Sequence, residues 1–355
     1  MLFTLFQEQG ALYYLIAGGA AFLLTLLGLV FGRKFLPKDQ GREFAVNGAL
    51  SKGKDRGAGL ILIIALIVAA ILFIPLGAQG IVSTDMIVLL AALFFEMLSG
   101  YLDDASEKPW GELVKGLIDL LISIVVAVLM FGNTQGTVHL LLFGTSFQLP
   151  WFIYIPLAVI LIWMSINVTN CADGVDGLCT SLSLTTLGSA LAILFGSYSV
   201  THLDLSKVPF LPEELREGLT TLTPWHNDFG LLIWMSLFVL IAYLWFHCSP
   251  SSMLMGDAGS RALGLLIAVA FMVTRDPFLF IPCALLLILD GGLGLVKLTV
   301  LRVTKSKTFM KNIRTPLHDH ARKNKGWSDT QVVTRFTLMQ ILLSAVTVLL
   351  VLTKA

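Results

Sequence analysis

Four short segments hold most of the residues able to do chemistry. They read YLDDASEK around Asp103 and Asp104, NCADGVDGL around Asn170, Asp173 and Asp176, MGDAGSRALG around Asp257, and PLHDHARKNKGW around His318, Asp319 and His320. Each adjoins a long apolar run. Clustered acids at a surface that also meets anions make physical sense when a divalent cation joins the two. Mg2+ takes a few carboxylates and leaves its other positions to water and substrate phosphates. A diphosphate bridged to aspartates in this way, with Lys and Arg neutralising its outer oxygens, is an arrangement suited to phosphoryl-type transfer.

The local spacings sharpen this reading. Asp103 and Asp104 end the third apolar run, where the negative end of a helix dipole disfavours acids, so the pair is expected to serve function. Adjacent residues on a helix point about 100° apart, which predicts different tasks for the two. Asp173 and Asp176 share a face if their turn is helical, and Gly174 and Gly177 leave room for a close backbone; the alternative is an Asx-rich turn capping the sixth helix. MGDAGS equally reads as a turn leading into a helix. His318 and His320 diverge on a helix, with Thr315 as N-cap and Pro316 as the first helical residue, so one of them is expected to face the site and joint metal ligation is not. His139, His202, His226 and His247 are expected to be non-catalytic. Glu96 and Asp290 lie within apolar runs, which makes them functional candidates; local pairing in support of helix packing is the alternative. Asp290 precedes Gly291, Gly292 and Gly294, a combination expected to bend the ninth helix and open a groove for a lipid chain.

The elements that position these residues follow from composition. Of 355 residues, 56% are hydrophobic and 13% charged, and the mean hydropathy of +0.84 excludes an ordinary soluble domain. About 20 apolar residues span a bilayer as a helix. Ten such runs are expected, at 11–35, 57–77, 86–102, 113–131, 151–166, 178–198, 229–247, 254–274, 278–301 and 332–352. They do not alternate as barrel strands would. The fold class is therefore an all-α polytopic integral membrane protein, a single transmembrane catalytic domain over residues 1–355. All basic residues except Lys207, Arg216, Arg275 and Lys354 fall on one side of this topology, which places that side in the cytoplasm and both termini outside. The acidic motifs all belong to the cytoplasmic side. The first run has no basic region before it and reads as a retained helix. The four cysteines form no CxxC pair and are expected to pack as small apolar side chains. TVHLLLFGTSFQL is expected to make a small hairpin and LPEELREG a short surface helix. No nucleic-acid partner is expected. A transporter would place its ionisable groups near the midplane between repeated halves, whereas here they gather at one face and no repeat is evident.

The order of the four motifs over ten helices resembles the polyprenyl-phosphate N-acetylhexosamine-1-phosphate transferases, from about Lys52 to Phe336, and KNKGW favours their muramoyl-pentapeptide branch. The resemblance implies transfer of phospho-MurNAc-pentapeptide from its UDP conjugate to undecaprenyl phosphate. The products are lipid I and UMP, and the setting is peptidoglycan synthesis at the bacterial inner membrane with Mg2+ as cofactor. By position, Asp103 and Asp104 match the family's catalytic aspartate pair, and Asp257 its metal-binding aspartate. Asn170, Asp173 and Asp176 match the nucleotide-side loop, and His318 and His320 the outer members of a histidine triplet. His318 is thereby a catalytic candidate and His320 a substrate-binding one. Lys115 matches a substrate-binding lysine after the aspartate pair, across a shorter intervening segment. A homodimer is compatible with the apolar helix faces. Three positions depart from the pattern: KDRGAG stands where many relatives have TPTMGG, Asp319 replaces the middle histidine, and Leu254 stands where an aromatic ring often stacks on uracil. These departures leave the metal centre intact and bear on how the base is held. The sibling activity on UDP-GlcNAc, or a lipid-linked transporter or scramblase, is the alternative.

Overall fold

The computed structural model describes residues 10–41, 51–74, 83–108, 110–202, 224–305 and 308–354. The chain folds into a helical bundle: α1 (Gly10–Gly32), α2 (Gly59–Phe73), α3 (Thr84–Ala105), α4 (Glu112–Thr134), α5 (Trp151–Ala172), α6 (Leu178–His202), α7 (Pro224–His247) and α8 (Gly256–Val273). A broken span follows, α9 (Pro277–Cys283) and α10 (Leu285–Thr304), bent by 72°. A surface helix, α11 (Leu317–Lys325), leads to α12 (Asp329–Lys354). Among the described residues eight helices are long and apolar enough to cross a membrane, or up to nine with the bent pair as one span. The expected second run appears as α2, whose 15 residues rise about 22 Å, short of the ~30 Å hydrocarbon core.

At the centre stands α8, with every residue buried. It packs chiefly on α3 and α5, and small residues let the backbones close up, as in membrane bundles generally. A Cβ on Gly59 would lie 1.9 Å from Gly259 N, so no side chain fits where α2 meets α8. Ser165 on α5 donates to Gly264 O at 2.7 Å, fixing α5 against the same core helix.

The expected hairpin is present: β1 (Thr137–Leu140) pairs antiparallel with β2 (Thr145–Gln148), Thr137 opposite Gln148. It marks one end of the bundle, where Asp276 Oδ2 accepts from Leu141 N at 2.8 Å and Lys354 Nζ donates to Leu142 O at 2.7 Å. Tyr13, near the start of α1, packs on Phe73 at the end of α2. Short connections make consecutive helices antiparallel, so the end of α3, the start of α4, the end of α5, the end of α7 and the start of α8 all meet at the opposite end. That is the end to which the acidic motifs belong. All four cysteines are free. The LPEELREG segment lies outside the described residues.

The ninth span differs from expectation in where it breaks. The bend falls at Ala284 (φ −125°, ψ 18°), between α9 and α10, six residues ahead of the Asp290–Gly291–Gly292 sequence. Those residues instead lie in a π-helical turn, Ile288–Gly292. Glycine is used there for close approach: a Cβ on Gly291 would lie 2.6 Å from Val168 O on α5.

Candidate active site

Three helices and one loop converge on an acidic centre. Asp103 and Asp104 occupy the last turn of α3, Lys115 the first turn of α4 and Asp257 the first turn of α8. All three acids are buried, and one oxygen from each lies within 4.8 Å of the other two. The Lys115 ammonium sits 2.6 Å from Asp103 Oδ2 and 2.9 Å from Asp257 Oδ2. On the other side Arg56 brings Nε to 2.9 Å from Asp104 Oδ1 and Nη1 to 3.4 Å from Asp39 Oδ1. Burial works against the Arg56 charge, but Asp104, then Asp257, Asp39 and Asp103, outweigh it and hold its pKa above the ordinary arginine value. The guanidinium is a fixed positive charge.

The adjacent acids do take different partners. Asp103 Oδ1 accepts from Trp110 N at 2.5 Å, and Asp104 Oδ2 accepts from Ala258 N at 3.1 Å, at the positive end of α8. Gly256 makes the second contact possible. Its φ is +72°, and a Cβ there would lie 2.2 Å from Asp104 Oδ2. The Arg56–Asp104 contact lacks hydrogen-bond geometry, which leaves Asp104 Oδ1 buried without a donor. Three carboxylates thus face two side-chain cations, and Asp104 Oδ1 is met by the Arg56 charge without a hydrogen bond. This all-oxygen donor set suits a hard divalent cation.

Beside the centre, Asn170 Nδ2 donates to Ser260 Oγ at 2.9 Å. Asp173 is the C-cap of α5, and its turn does not continue as a helix, so the helical i,i+3 relation between Asp173 and Asp176 does not hold. Asp173 Oδ1 lies 3.8 Å from His247 Nε2. Asp176 Oδ2 accepts from Ser251 N at 2.8 Å and lies 3.4 Å from Lys54 Nζ. Burial alone would raise the Asp176 pKa; the Ser251 amide and hydroxyl, with Lys54, more than reverse this and hold it below the ordinary carboxylate value.

Lys54 and Arg56 both come from KDRGAG, a stretch whose residue types gave no site assignment. Its backbone pairs with the strand-like segment before α8: Leu254 N donates to Asp55 O at 2.7 Å, Ala58 N to Leu254 O at 3.0 Å and Gly59 N to Met255 O at 3.0 Å. Two of the three departures from the family pattern, KDRGAG and Leu254, are therefore neighbours in space.

His318 is the histidine that turns inward. Its backbone N donates to Asp290 Oδ1 at 2.6 Å and its Nδ1 lies 2.7 Å from Asp290 Oδ2. This orients Nε2 toward Gly174, where a Cβ would lie 2.5 Å away. Burial lowers the His318 pKa, but Asp290 outweighs it and raises the value above the ordinary one. The helix starts one residue later than expected, with Pro316 as N-cap. His320 lies apart from the acidic centre, its Nδ1 accepting from Arg314 N at 3.4 Å. Asp319 sits 3.9 Å from His318 Nε2 and 3.7 Å from Arg322 Nη1.

Arg261, placed on the cytoplasmic side by charge counting, is in fact 2% exposed. Its Nη2 lies 3.1 Å from Glu96 Oε1 and also hydrogen-bonds Asp119 Oδ1. Each member of this triad lies on the same helix and face as a residue of the centre: Arg261 is four residues after Asp257, Asp119 four after Lys115, and Glu96 seven before Asp103. Glu96 is thereby a paired acid that ties α3 to α8. The i+4 relation to Asp257 was the sequence signal for Arg261.

Along the flank of the bundle runs an apolar groove of about 600 Å³ between α4, α5 and α10, lined by Leu120, Ile160, Trp163, Met164, Leu293 and Val296 among others. The Trp163 indole donates to Gly116 O at 3.3 Å, so the groove abuts the turn that carries Lys115.

Comparison with known proteins decides the family. Residues 86–275 match glycosyl transferase family 4. The chain is 34% identical over 349 residues to a protein of Treponema pallidum (strain Nichols) named phospho-N-acetylmuramoyl-pentapeptide-transferase, covering 96% of this chain and 90% of the relative. This chain belongs to the phospho-N-acetylmuramoyl-pentapeptide-transferase family. Proteins of the same name from Desulfotalea psychrophila (27% over 341 residues, 92% of this chain and 89% of the relative) and Helicobacter pylori strain Shi470 (27% over 298 residues, 82% and 79%) are also similar. In this member of the transferase family, the four motifs legible in the sequence occupy one end of the bundle, joined there by Arg56, Lys54, Asp290 and the Arg261 triad.

Proposed function

We propose that the chain transfers phospho-MurNAc-pentapeptide from UDP-MurNAc-pentapeptide to undecaprenyl phosphate, yielding lipid I and UMP in peptidoglycan synthesis. It is a multi-pass protein of the bacterial inner membrane, acting as one catalytic domain over residues 1–355, with its acidic end toward the cytoplasm and both termini outside. The observation that carries this reading is the juxtaposition of the buried Asp103–Asp104–Asp257 centre with an apolar groove that reaches the Lys115 turn. A long-chain lipid phosphate fits the groove and a nucleotide diphosphate fits the charged centre.

Asp257 and Asp104 would hold Mg2+, which supplies neutralisation of diphosphate charge when bound. The remaining work belongs to the chain itself. The acceptor's second pKa is near 6, so it is mostly dianionic at pH 7 and needs little base assistance. Bringing two anions together is the larger task. Lys115, at the groove's edge, neutralises the acceptor phosphate, and Asp103, held by Trp110 N, orients it or takes its last proton. Attack on the β-phosphorus forms the new P–O bond as the bond to the UMP oxygen breaks. Arg56 meets the charge that develops on the departing phosphate. Asn170, Asp173 and Asp176, with Lys54, face the nucleotide, and His318, fixed by Asp290, faces the same loop through Gly174. His320 takes an outer substrate contact.

The test is UMP release by the purified protein in mild detergent with undecaprenyl phosphate and Mg2+, comparing UDP-MurNAc-pentapeptide with UDP-GlcNAc. Metal-dependent turnover of the pentapeptide substrate alone, lost in Asp257→Asn, is expected. Turnover of UDP-GlcNAc instead moves the chain to the sibling activity; turnover of neither by folded protein refutes the assignment.

A further inference from the structure

A broken helix inside a membrane frees backbone donors and acceptors where no water can satisfy them. At the break between α9 and α10 the partner is one side chain from another helix. Gln340 on α12 is 0% exposed. Its Oε1 accepts from Leu286 N at 2.8 Å, in the first turn of α10, and its Nε2 donates to Pro282 O at 3.2 Å, on α9. The same Nε2 donates to Ser344 Oγ at 3.1 Å, and Ser344 Oγ reaches Cys283 O at 3.5 Å. One amide therefore grips both sides of the bend, and the serine one turn along braces it. Its planar group carries a donor and an acceptor at fixed separation, so it holds the two helix ends at one angle.

That angle matters to one feature above all. The α10 residues that wall the groove, from Ile288 to Val300, all follow the break. We propose that Gln340 is a positioning residue for the lipid acceptor: by clamping the 72° bend it sets the wall of the groove that takes the polyprenyl chain. The inference rests on the reading of the groove as the acceptor site. Gln340 has no part in the acidic centre, and α10 is separately pinned near that centre by Asp290–His318 and by Gly291 against Val168. The clamp therefore governs acceptor binding and leaves the nucleotide side alone.

The experiment measures UMP release with each substrate varied in turn, for wild type, Gln340→Leu, Gln340→Glu and the groove-filling Val296→Trp. Gln340→Leu is expected to raise the KM for undecaprenyl phosphate about tenfold, with the KM for the nucleotide sugar and the kcat at saturating acceptor within about twofold of wild type. A short-chain prenyl phosphate, which touches less of the wall, shows a smaller rise. Gln340→Glu keeps an acceptor for Leu286 N, falls between the two, and carries the test if Gln340→Leu does not fold. Val296→Trp checks the underlying reading. If it leaves the acceptor KM unchanged, the groove does not hold the acceptor. If it raises that KM while folded Gln340 variants do not, the groove assignment stands and the clamp is refuted; equal changes in both KM values in the Gln340 variants also overturn it.

Discussion

Replacing Arg261 by methionine removes the one cation between two buried carboxylates. Glu96 is 0% exposed and Asp119 2%, so neither gains water in exchange. Breaking a buried ion pair by removing one partner costs about 3–5 kcal/mol, a large part of the ~5–15 kcal/mol that holds a typical domain together. The same physics predicts the opposite for a concerted change. A triple variant, Glu96→Leu, Asp119→Leu and Arg261→Met, removes the charges together with their desolvation cost and is expected to be close to wild type in stability, since apolar replacements of buried charge networks are often neutral or better. Thermal unfolding in detergent, followed by intrinsic fluorescence, separates the two. An Arg261→Met protein that melts with wild type, or a triple variant that melts as low as the single one, refutes the reasoning. Measured on the same preparations, UMP release asks whether the triad also aligns the centre. Its members sit one or two turns below Asp257, Lys115 and Asp103, so the triple variant is expected to fold yet lose kcat.

Two further perturbations probe the site directly. Gly256→Ala places a methyl 2.2 Å from Asp104 Oδ2 at a φ of +72°, so the carboxylate must move; a displacement of about 1 Å costs on the order of 10²-fold in rate, and UMP release within twofold of wild type would count against the role given to Asp104. His318 provides a pH signature. Its folded pKa is raised above an unfolded value of about 6.5, so the pairing stabilises fully below about pH 6.5 and is lost as pH rises through the folded pKa. The melting advantage of wild type over Asp290→Asn is expected to be largest near pH 6 and to shrink toward pH 9, and an advantage that grows with pH would contradict the pairing.

The membrane class, the hairpin and the gathering of acids at one end were legible in the sequence, each for a local reason. Apolar runs must cross, short connections make successive helices antiparallel, and residues at matching ends of alternate helices then share a face. The separate hydrogen-bond partners of Asp103 and Asp104 accord with the helical offset between neighbours. What the tertiary structure alone decided were pairings between distant positions. Arg261 counted as one more cytoplasmic charge until its partners Glu96 and Asp119 buried it; its i+4 spacing from Asp257 sets the helix face it shares but does not name those partners. Lys54 and Arg56 enter the site because KDRGAG lies along the segment before α8, a contact across roughly 200 residues. The bend fell at Ala284, ahead of the glycines at 291, 292 and 294, because a helix in lipid breaks where another helix can satisfy the freed backbone, and Gln340 supplies those hydrogen bonds from α12. Residue types and periodicity settle which groups are available and at which end; which cation meets which acid, and where a span can bend, is settled by the helices packed against it.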